Sequence, residues 1–484
     1  MNNQGGKVET KELGLFSLIA VIIGSTIGAG IFSLAGDMAA NGANTGGVLV
    51  GWLVCGVGMF ALTMCFFGLN KIKPELKNGI YSYASEGFGD FLGFNSAWGY
   101  WISALFCNVA YTTLLFAAIG YFFPVFGEGN NIISIVCASI VIWLINYLVL
   151  RGVKEAAGIT IIATIGKLLP IFIFILAVVF ARSFKLSVFL DNFWGEPDGL
   201  GFLSQVKATT AATVWSFIGV EGAVVLSARA KKVSDVGKST IIGFVSIFLI
   251  YLLTSVLSMG VMPREELAKL ANLSMAGILE AAVGPWGAAL INLGVILSLA
   301  GALLGWTIIA ADCPYSAAKI GVFSKAFAKE NKNGAPVFSL YVTNGIVQLF
   351  LIVIYFNEST YQAFYTLCAS MIMIPYLFSA LYYAKVTLSK EGSELIDKKS
   401  LPWEKLIGIL GTAYGIWLLY AGGVMYLLIS AILYAPGILV YIKGKKEKQE
   451  RYLDNARDRI AVGVILLVAL VSLILILNGS INPF

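Results

Sequence analysis

Residues 22–30, IIGSTIGAG, place three glycines, a serine and a threonine in the middle of the first long apolar run of the chain. Glycine in a helix costs about 1 kcal/mol relative to alanine, so Gly24, Gly28 and Gly30 predict an interrupted helix. The freed N–H and C=O groups are tolerated in lipid only where they are buried in protein or line a wet cavity. This stretch predicts a polar binding site, although Gly24 and Gly28 alone would also fit a G-x-x-x-G packing face.

A second apolar run, TVWSFIGVEGAVV at residues 213–225, carries a carboxylate at Glu221 between Gly219 and Gly222. An ionisable group inside an apolar span is expensive and usually functional. The N–H groups and positive dipole end after the first break suit a carboxylate, and carbonyls freed near Ile218 suit an ammonium group. An α-amino acid carries both groups, so the two interruptions together favour an amino acid as the bound molecule.

The composition is that of a membrane protein. The 484 residues are 58% hydrophobic and 12% charged, with a mean hydropathy of +0.84, and uncharged runs long enough to cross a bilayer recur along the chain. The chain has no histidine and its six cysteines lack C-x-x-C spacing, which argues against a His-based triad, a zinc site or a disulfide framework. No ATP-binding G-x-x-x-x-G-K-[ST] motif occurs. We expect neither an enzyme nor a cofactor.

The apolar runs predict an all-α polytopic fold with thirteen spans. These spans lie near residues 14–40, 46–70, 92–123, 131–150, 158–181, 206–228, 239–262, 286–318, 337–356, 360–384, 406–421, 424–442 and 460–478. The first and sixth spans are the interrupted ones, and a repeat of five spans enters the membrane from the opposite side in its second copy.

We therefore expect an inverted repeat, with residues 14–182 as spans one to five and residues 206–385 as spans six to ten. Spans eleven and twelve at residues 406–442 and a thirteenth at 460–478 would follow. Interrupted helices at matching positions of such a repeat are typical of secondary transporters, whose site lies near the middle of the membrane.

Lysine and arginine predict the orientation, because cytoplasmic connections hold the excess of basic residues. Most of the 33 basic residues fall in alternate connections, which places segment 1–13 and the basic loop 443–459 in the cytoplasm and the C-terminus outside. The first segment lacks a basic n-region and a cleavage site, so we expect an uncleaved first span. Topology thus accounts for the net charge of +6, and no nucleic-acid partner is needed.

Several motifs in order resemble the amino acid-polyamine-organocation superfamily, with its LeuT-type fold, and within it the basic amino acid/polyamine antiporters. The resemblance spans about residues 12–440 and rests on IGSTIGAGIF, PELKNGIYSYASEGFGDFLGF, WSFIGVEGA and GWTIIAADCPYSAAKIGVFSKAFAKENKNGAP, with YW and a later N in span three. The thirteenth span is similar to the arginine/ornithine antiporter group.

The resemblance implies a site between spans one, three, six and eight. The substrate carboxylate would be received by Ser25, Thr26 and the amides of Gly28, Ala29 and Gly30. The amine would be received by carbonyls around Trp215, Ser216 and Ile218. Ala29 departs from the pattern, since related exchangers often have serine there, and one hydroxyl contact is thereby in doubt.

For the substrate side chain, the resemblance implies Trp306 as an aromatic floor, Tyr100 and Trp215 as gates and Asn108 as a polar contact. Glu221 would sense pH or couple opening. Aromatic faces attract ammonium or guanidinium groups by about 0.5–2 kcal/mol each, which independently favours a cationic side chain. The simpler alternatives are belt or core tryptophans and a structural glutamate.

Lys167 lies well inside span five. In sodium-independent relatives a lysine at the resembling position puts its ammonium where sodium-coupled relatives hold a cation between spans one and eight. We expect the same of Lys167; the alternative is a lysine that snorkels to the span end.

The predicted function is exchange of basic amino acids, arginine for ornithine, by alternating access in the cell (inner) membrane. Open alternatives are proton-coupled uptake, other exchanges (lysine/cadaverine, arginine/agmatine or histidine/histamine), a channel, and an amino acid sensor that does not transport. The expected partners are basic amino acids and the lipid bilayer, and a homodimer is compatible with this reading.

Overall fold

The computed structural model describes residues 14–76, 79–153, 157–221, 232–270, 272–357 and 361–481. Segment 1–13 and Gly222, both used in the sequence argument, lie outside these ranges. The first half of the chain contains α1 (Leu15–Thr26), α2 (Leu34–Ala40), α3 (Thr45–Ile72), α4 (Ile80–Phe88), α5 (Asp90–Phe122), α6 (Ile132–Leu150), α7 (Ala157–Phe180), α8 (Leu186–Leu190), α9 (Phe202–Ala208) and α10 (Thr210–Phe217).

The second half contains α11 (Val233–Val261), α12 (Arg264–Leu267), α13 (Ser274–Val283), α14 (Pro285–Lys319), α15 (Val337–Asn357), α16 (Tyr361–Leu388), α17 (Lys390–Leu395), α18 (Leu401–Ala421), α19 (Val424–Glu447) and α20 (Ala456–Leu477). These helices fall where apolar runs lie between polar breaks, and their ends agree closely with the predicted spans.

Ten helices of the described ranges are long and apolar enough to cross a membrane, namely α3, α5, α6, α7, α11, α14, α15, α16, α19 and α20. This confirms the predicted all-α polytopic fold. Of the remaining predicted spans, the first is divided between α1 and α2, the sixth begins with α9 and α10, and the eleventh is α18. The count of thirteen stays a prediction.

The helix packing has a two-fold pattern. Helix α5 packs against α16, and α14 packs against α7; α1 packs against α11, and α10 packs against α3. Spans five apart correspond in an inverted repeat. Replacing each helix by its counterpart turns the pair α5–α16 into α14–α7 and the pair α1–α11 into α10–α3. Helix α5 also packs directly against α14. This is the pairing expected of an inverted repeat, and the boundaries 14–182 and 206–385 stay predictions.

Helix α16 is interrupted chemically by Pro375. Proline has no N–H, so the carbonyl four residues earlier, at Met371, loses its usual helical donor. The hydroxyl of Tyr434 donates to that carbonyl at 3.4 Å. Tyr376 follows Pro375 directly, and Tyr361 begins the same helix.

Candidate functional site

The first helix is broken at the predicted glycines. Helix α1 ends at Thr26, Ile27 and Gly28 are extended, and a 3-10 turn over Ala29–Phe32 precedes α2. The first amides of that turn have no acceptor within it, as at any helix start. Because Gly28 lies outside α1, Gly24 and Gly28 do not share a helix face, and the G-x-x-x-G alternative is wrong.

Lys167 supplies a donor to the carbonyl end of this break. Its Nζ donates to the carbonyl of Gly24 at 2.5 Å and to that of Ile27 at 2.9 Å. The residue is only 8% exposed and lies in the interior of α7, which does not fit a snorkelling side chain. The preceding Gly166 packs tightly against α14, since a Cβ there would lie 3.2 Å from the carbonyl oxygen of Gly294. Lys167 therefore joins α7 to α1 close to α14.

The second break also lies where the sequence predicts it. Helix α10 ends at Phe217, Ile218 is extended, and Gly219 has a φ of +104°, a conformation that glycine adopts without strain. The carbonyl of Ser216 accepts a hydrogen bond from the hydroxyl of Tyr251 at 2.7 Å. The Ser216 hydroxyl donates within its own helix, to Ala212.

Tyr251 of α11 bridges the two interruptions. Its hydroxyl also lies 3.4 Å from the carbonyl of Thr26, at the end of α1, and the residue is fully buried. One hydroxyl thus faces a freed carbonyl of each broken helix. Nothing in the sequence distinguishes this tyrosine from the others in apolar spans.

Glu221 is held by two tyrosines of neighbouring helices. Tyr100 of α5 donates to its Oε1 at 3.1 Å, and Tyr376 of α16 donates to its Oε2 at 2.7 Å. The backbone N–H of Gly219 donates to Oε2 at 3.1 Å. The carboxylate therefore links the end of α10 to α5 and α16. Tyr100 was expected near the site, whereas Tyr376 was not.

Trp215 covers the first break. Its ring stacks on Tyr365 with centroids 4.8 Å apart and lies 5.9 Å from the ring of Tyr111 and 6.0 Å from that of Tyr361. A Cβ on Gly30 would lie 2.8 Å from this indole, which shows how closely the ring approaches the turn.

The tyrosines around Trp215 were not predicted. The hydroxyl of Tyr111 lies so close to Gly28 that a Cβ there would be 2.6 Å away. Trp306 is partly buried on α14, and among the described residues its ring makes no stacking contact with Trp215. Its role as the aromatic floor for the substrate side chain stays a prediction.

Several buried polar atoms have no protein partner within the described residues, and two of the residues that carry them, Asn108 and Thr26, were predicted for the site. Both side-chain polar atoms of Asn108 are among them, as are the hydroxyls of Thr26, Ser298 and Thr307. Buried polar groups are normally hydrogen-bonded, so such exceptions call for an explanation such as a bound molecule. Asn108 lies one helical turn before Tyr111, and Thr307 follows Trp306 directly. The side chain of Ser25 lies outside the described residues.

Asp37 of α2 is a buried carboxylate that the sequence argument missed. It is 3% exposed and accepts hydrogen bonds from the hydroxyl of Tyr361 at 2.5 and 2.6 Å and from the amide of Gln362 at 2.6 Å. The reasoning that singled out Glu221, an acidic residue in an apolar span, applies equally to Asp37.

Comparison with known proteins gives a consistent result. A family model described as amino acid permease matches residues 13–425. An arginine/ornithine antiporter of Pseudomonas aeruginosa is 46% identical over 465 residues, which cover 94% of this chain and 96% of that protein. An Escherichia coli (strain K12) protein, also named as an arginine/ornithine antiporter but only provisionally, is 41% identical over 464 residues. These residues cover 95% of this chain and 98% of that protein.

An arginine/agmatine antiporter of Chlamydia trachomatis serovar L2 is also 41% identical, over 98% of both chains. The residues matched by the family model include both broken helices and every residue of the site described above. The chain therefore belongs to the amino acid permease family.

Proposed function

We propose that this membrane protein exchanges basic amino acids, arginine entering as ornithine leaves, by alternating access across the inner membrane of a bacterium. The observation that carries the proposal is the broken first helix, covered by Trp215 and followed along the chain by the half-buried carboxylate of Glu221. The family consists of transporters rather than enzymes, and the relatives named for arginine/ornithine exchange support this substrate pair.

The first break suits the α-carboxylate of the substrate. The amides of Ala29 and Gly30 open the 3-10 turn, and such amides bind anions well. The hydroxyl of Thr26 is buried without a partner in the described part of the chain and can donate to the same group. The amine faces the carbonyls at the end of α10, around Ser216.

The cationic side chain suits the aromatic and acidic groups beyond the break. Trp215 and Tyr111 offer ring faces, Glu221 offers a negative charge, and Asn108 offers a carbonyl oxygen that has no partner within the described residues. The proposed orientation places the N-terminus in the cytoplasm and the C-terminus outside, so that α2 lies in the outer half. Trp215 then closes the path from outside, and Glu221 with Tyr100 and Tyr376 closes the path from the cytoplasm.

Lys167 makes sodium unnecessary in this scheme. Its ammonium neutralises the carbonyls of Gly24 and Ile27, which would otherwise attract a small cation at the break. The homodimer stays a prediction, to be tested by the mass of the purified protein in detergent.

Exchange of arginine for agmatine is the second candidate, because the chlamydial relative named for it is similar over the whole chain. Agmatine lacks the α-carboxylate that the amides after the first break would receive. An arginine/ornithine exchanger should therefore discriminate against agmatine, which separates the two candidates in one assay.

The test is counterflow in proteoliposomes. Vesicles are loaded with ornithine, agmatine, leucine or buffer alone, and the uptake of labelled external arginine is followed. We expect uptake with internal ornithine and none with leucine or buffer. Glu221→Gln should reduce this uptake strongly, whereas Glu280→Gln, an exposed carboxylate of α13, should not.

Three results would overturn the proposal. Agmatine that drives uptake better than ornithine would favour the second candidate. Uptake into empty vesicles along a proton gradient would indicate proton-coupled uptake. Absence of uptake under every loading, in protein that binds arginine, would favour a sensor.

A further inference from the structure

Asp37 is buried in α2, and a buried carboxylate is energetically costly and usually functional. None of the substrate contacts proposed above involves it. Within the described residues, its carboxylate accepts hydrogen bonds from two neutral donors, Tyr361 and Gln362, and no lysine or arginine lies within 4 Å of it. Buried carboxylates are usually paired with a cation or bind one. The carboxylate therefore lacks a charge partner in this conformation.

An aromatic path joins Asp37 to the site. The ring of Tyr361, whose hydroxyl donates to Asp37, lies 5.5 Å from Tyr365 and 6.0 Å from Trp215. Tyr365 in turn stacks on Trp215. Only one layer of rings thus separates Asp37 from the tryptophan that covers the break.

A cavity opens just beyond the end of α2, the helix that carries Asp37. The cavity has a volume of about 440 Å³ and reaches Gly42 and Asn44. Its lining carries four carboxylates and one guanidinium: Asp191, Glu196, Asp198, Glu265 and Arg264. A lining with this charge balance raises the local concentration of cations. The cavity therefore concentrates cations near the end of the helix that carries Asp37.

The carboxylates of Asp37 and Glu221 contact α16 at two well-separated positions. Tyr361 holds Asp37 and Tyr376 holds Glu221, and these tyrosines are 15 positions apart on α16, or about 22 Å at 1.5 Å per residue. An arginine or ornithine whose backbone lies at the break can reach toward one carboxylate at a time. Glu221 serves the substrate on one side of Trp215, and a counter-charge is needed on the other.

We propose that Asp37 is an outer counter-ion for the guanidinium or ammonium group of the substrate, which it binds after Trp215 and Tyr361 move apart and before the substrate reaches Glu221. This role rests on the proposed exchange of basic amino acids. Guanidinium suits the position because the two carboxylate oxygens accept from separate donors, Oδ1 from Gln362 and Oδ2 from Tyr361, and planar guanidinium groups bind carboxylates through two parallel bonds. Tyr361 yields its bond to the incoming cation.

The experiment compares variants in arginine/ornithine counterflow. Asp37→Asn keeps the volume and an acceptor for Tyr361 but removes the charge. We expect the KM for external arginine to rise at least about tenfold, equivalent to about 1.4 kcal/mol. The concentration of citrulline that inhibits exchange should stay unchanged, because citrulline resembles arginine but has an uncharged side chain. Glu280→Gln removes an exposed carboxylate and is the matched control.

The variant Tyr361→Phe distinguishes two possible roles of Asp37, a counter-ion for the substrate and a structural link between α2 and α16. It frees the carboxylate from a competing donor, so the KM for arginine should stay equal or fall. A structural link requires both partners, so in that case Asp37→Asn and Tyr361→Phe would impair arginine and citrulline alike, and the proposal would be wrong. Wild-type protein that exchanges no basic amino acid refutes the proposed function instead, so the two failures are distinguishable.

Discussion

Replacing Lys167 with methionine removes the ammonium group from the first break and keeps an unbranched side chain in α7. The ammonium is the donor that the structure gives to the carbonyls of Gly24 and Ile27, at 2.5 and 2.9 Å. Without it, both carbonyls face a buried region unless α1 straightens or another cation enters. The variant therefore tests whether Lys167 maintains the break.

The magnitude follows from these two bonds. A hydrogen bond from a charged donor contributes roughly 1.5–3 kcal/mol, so the pair favours the interrupted conformation by about 3–6 kcal/mol. At about 1.4 kcal/mol per factor of ten, the lower figure already corresponds to a loss of roughly 100-fold. Removing a buried charge also relieves its desolvation cost, so the melting temperature is a poor readout and transport is the appropriate one.

The assay is arginine/ornithine counterflow in sodium-free choline buffer and in sodium buffer. We expect Lys167→Met to lose most exchange in choline and to recover part of it in sodium, because a small cation can replace the ammonium. Lys207→Met is the control: this lysine lies over the ring of Tyr420 at 4.3 Å, and its loss should change the rate by no more than about twofold. A Lys167→Met protein that exchanges within about threefold of wild type and ignores sodium would refute the reasoning.

The remaining predictions concern the two breaks. Gly30→Ala places a Cβ 2.8 Å from the Trp215 ring, so the indole must move. We expect a shifted tryptophan emission and a KM for arginine raised about tenfold, or about 1.4 kcal/mol. Gly345→Ala, where a Cβ meets nothing within 4 Å, should change neither quantity, and equal effects of the two variants would contradict the argument. Tyr251→Phe removes the hydroxyl that faces both freed carbonyls, so the exchange rate should fall about fivefold, equivalent to roughly 1 kcal/mol. Tyr355→Phe, at an exposed tyrosine, should leave the exchange rate unchanged. Unaltered exchange in Tyr251→Phe would exclude the bridging role.

The sequence was most informative where a preference is local. Glycine disfavours helix within a few residues of itself, so the break at Gly28 and the left-handed Gly219 could be placed before any tertiary contact was known. Apolar runs bounded by polar residues gave helix limits that differ from the observed ones by a few residues. The acid at residue 221 was found because charge is rare in such runs.

Tertiary partners could not be read in the same way. Tyr251, Tyr376 and Tyr111 lie in apolar spans among many tyrosines, and which of them faces a broken helix depends on helix packing. The role of Trp306 as an aromatic floor came from a motif and stays a prediction. Asp37 was overlooked for lack of a motif, even though it is only 3% exposed.

Pro375 gives α16 a consequence that reaches both carboxylates. Because the bond to the carbonyl of Met371 is already missing within the helix and is replaced by Tyr434, the two halves of α16 can tilt against each other without breaking a further backbone bond. Tyr361 travels with one half and Tyr376 with the other. Pro375 lies at the middle of α16, directly before Tyr376 and 14 residues after Tyr361. A tilt between the two halves therefore moves the two tyrosines separately. We expect the bond to Glu221 to open while the bond to Asp37 stays closed, which avoids a continuous leak through the protein.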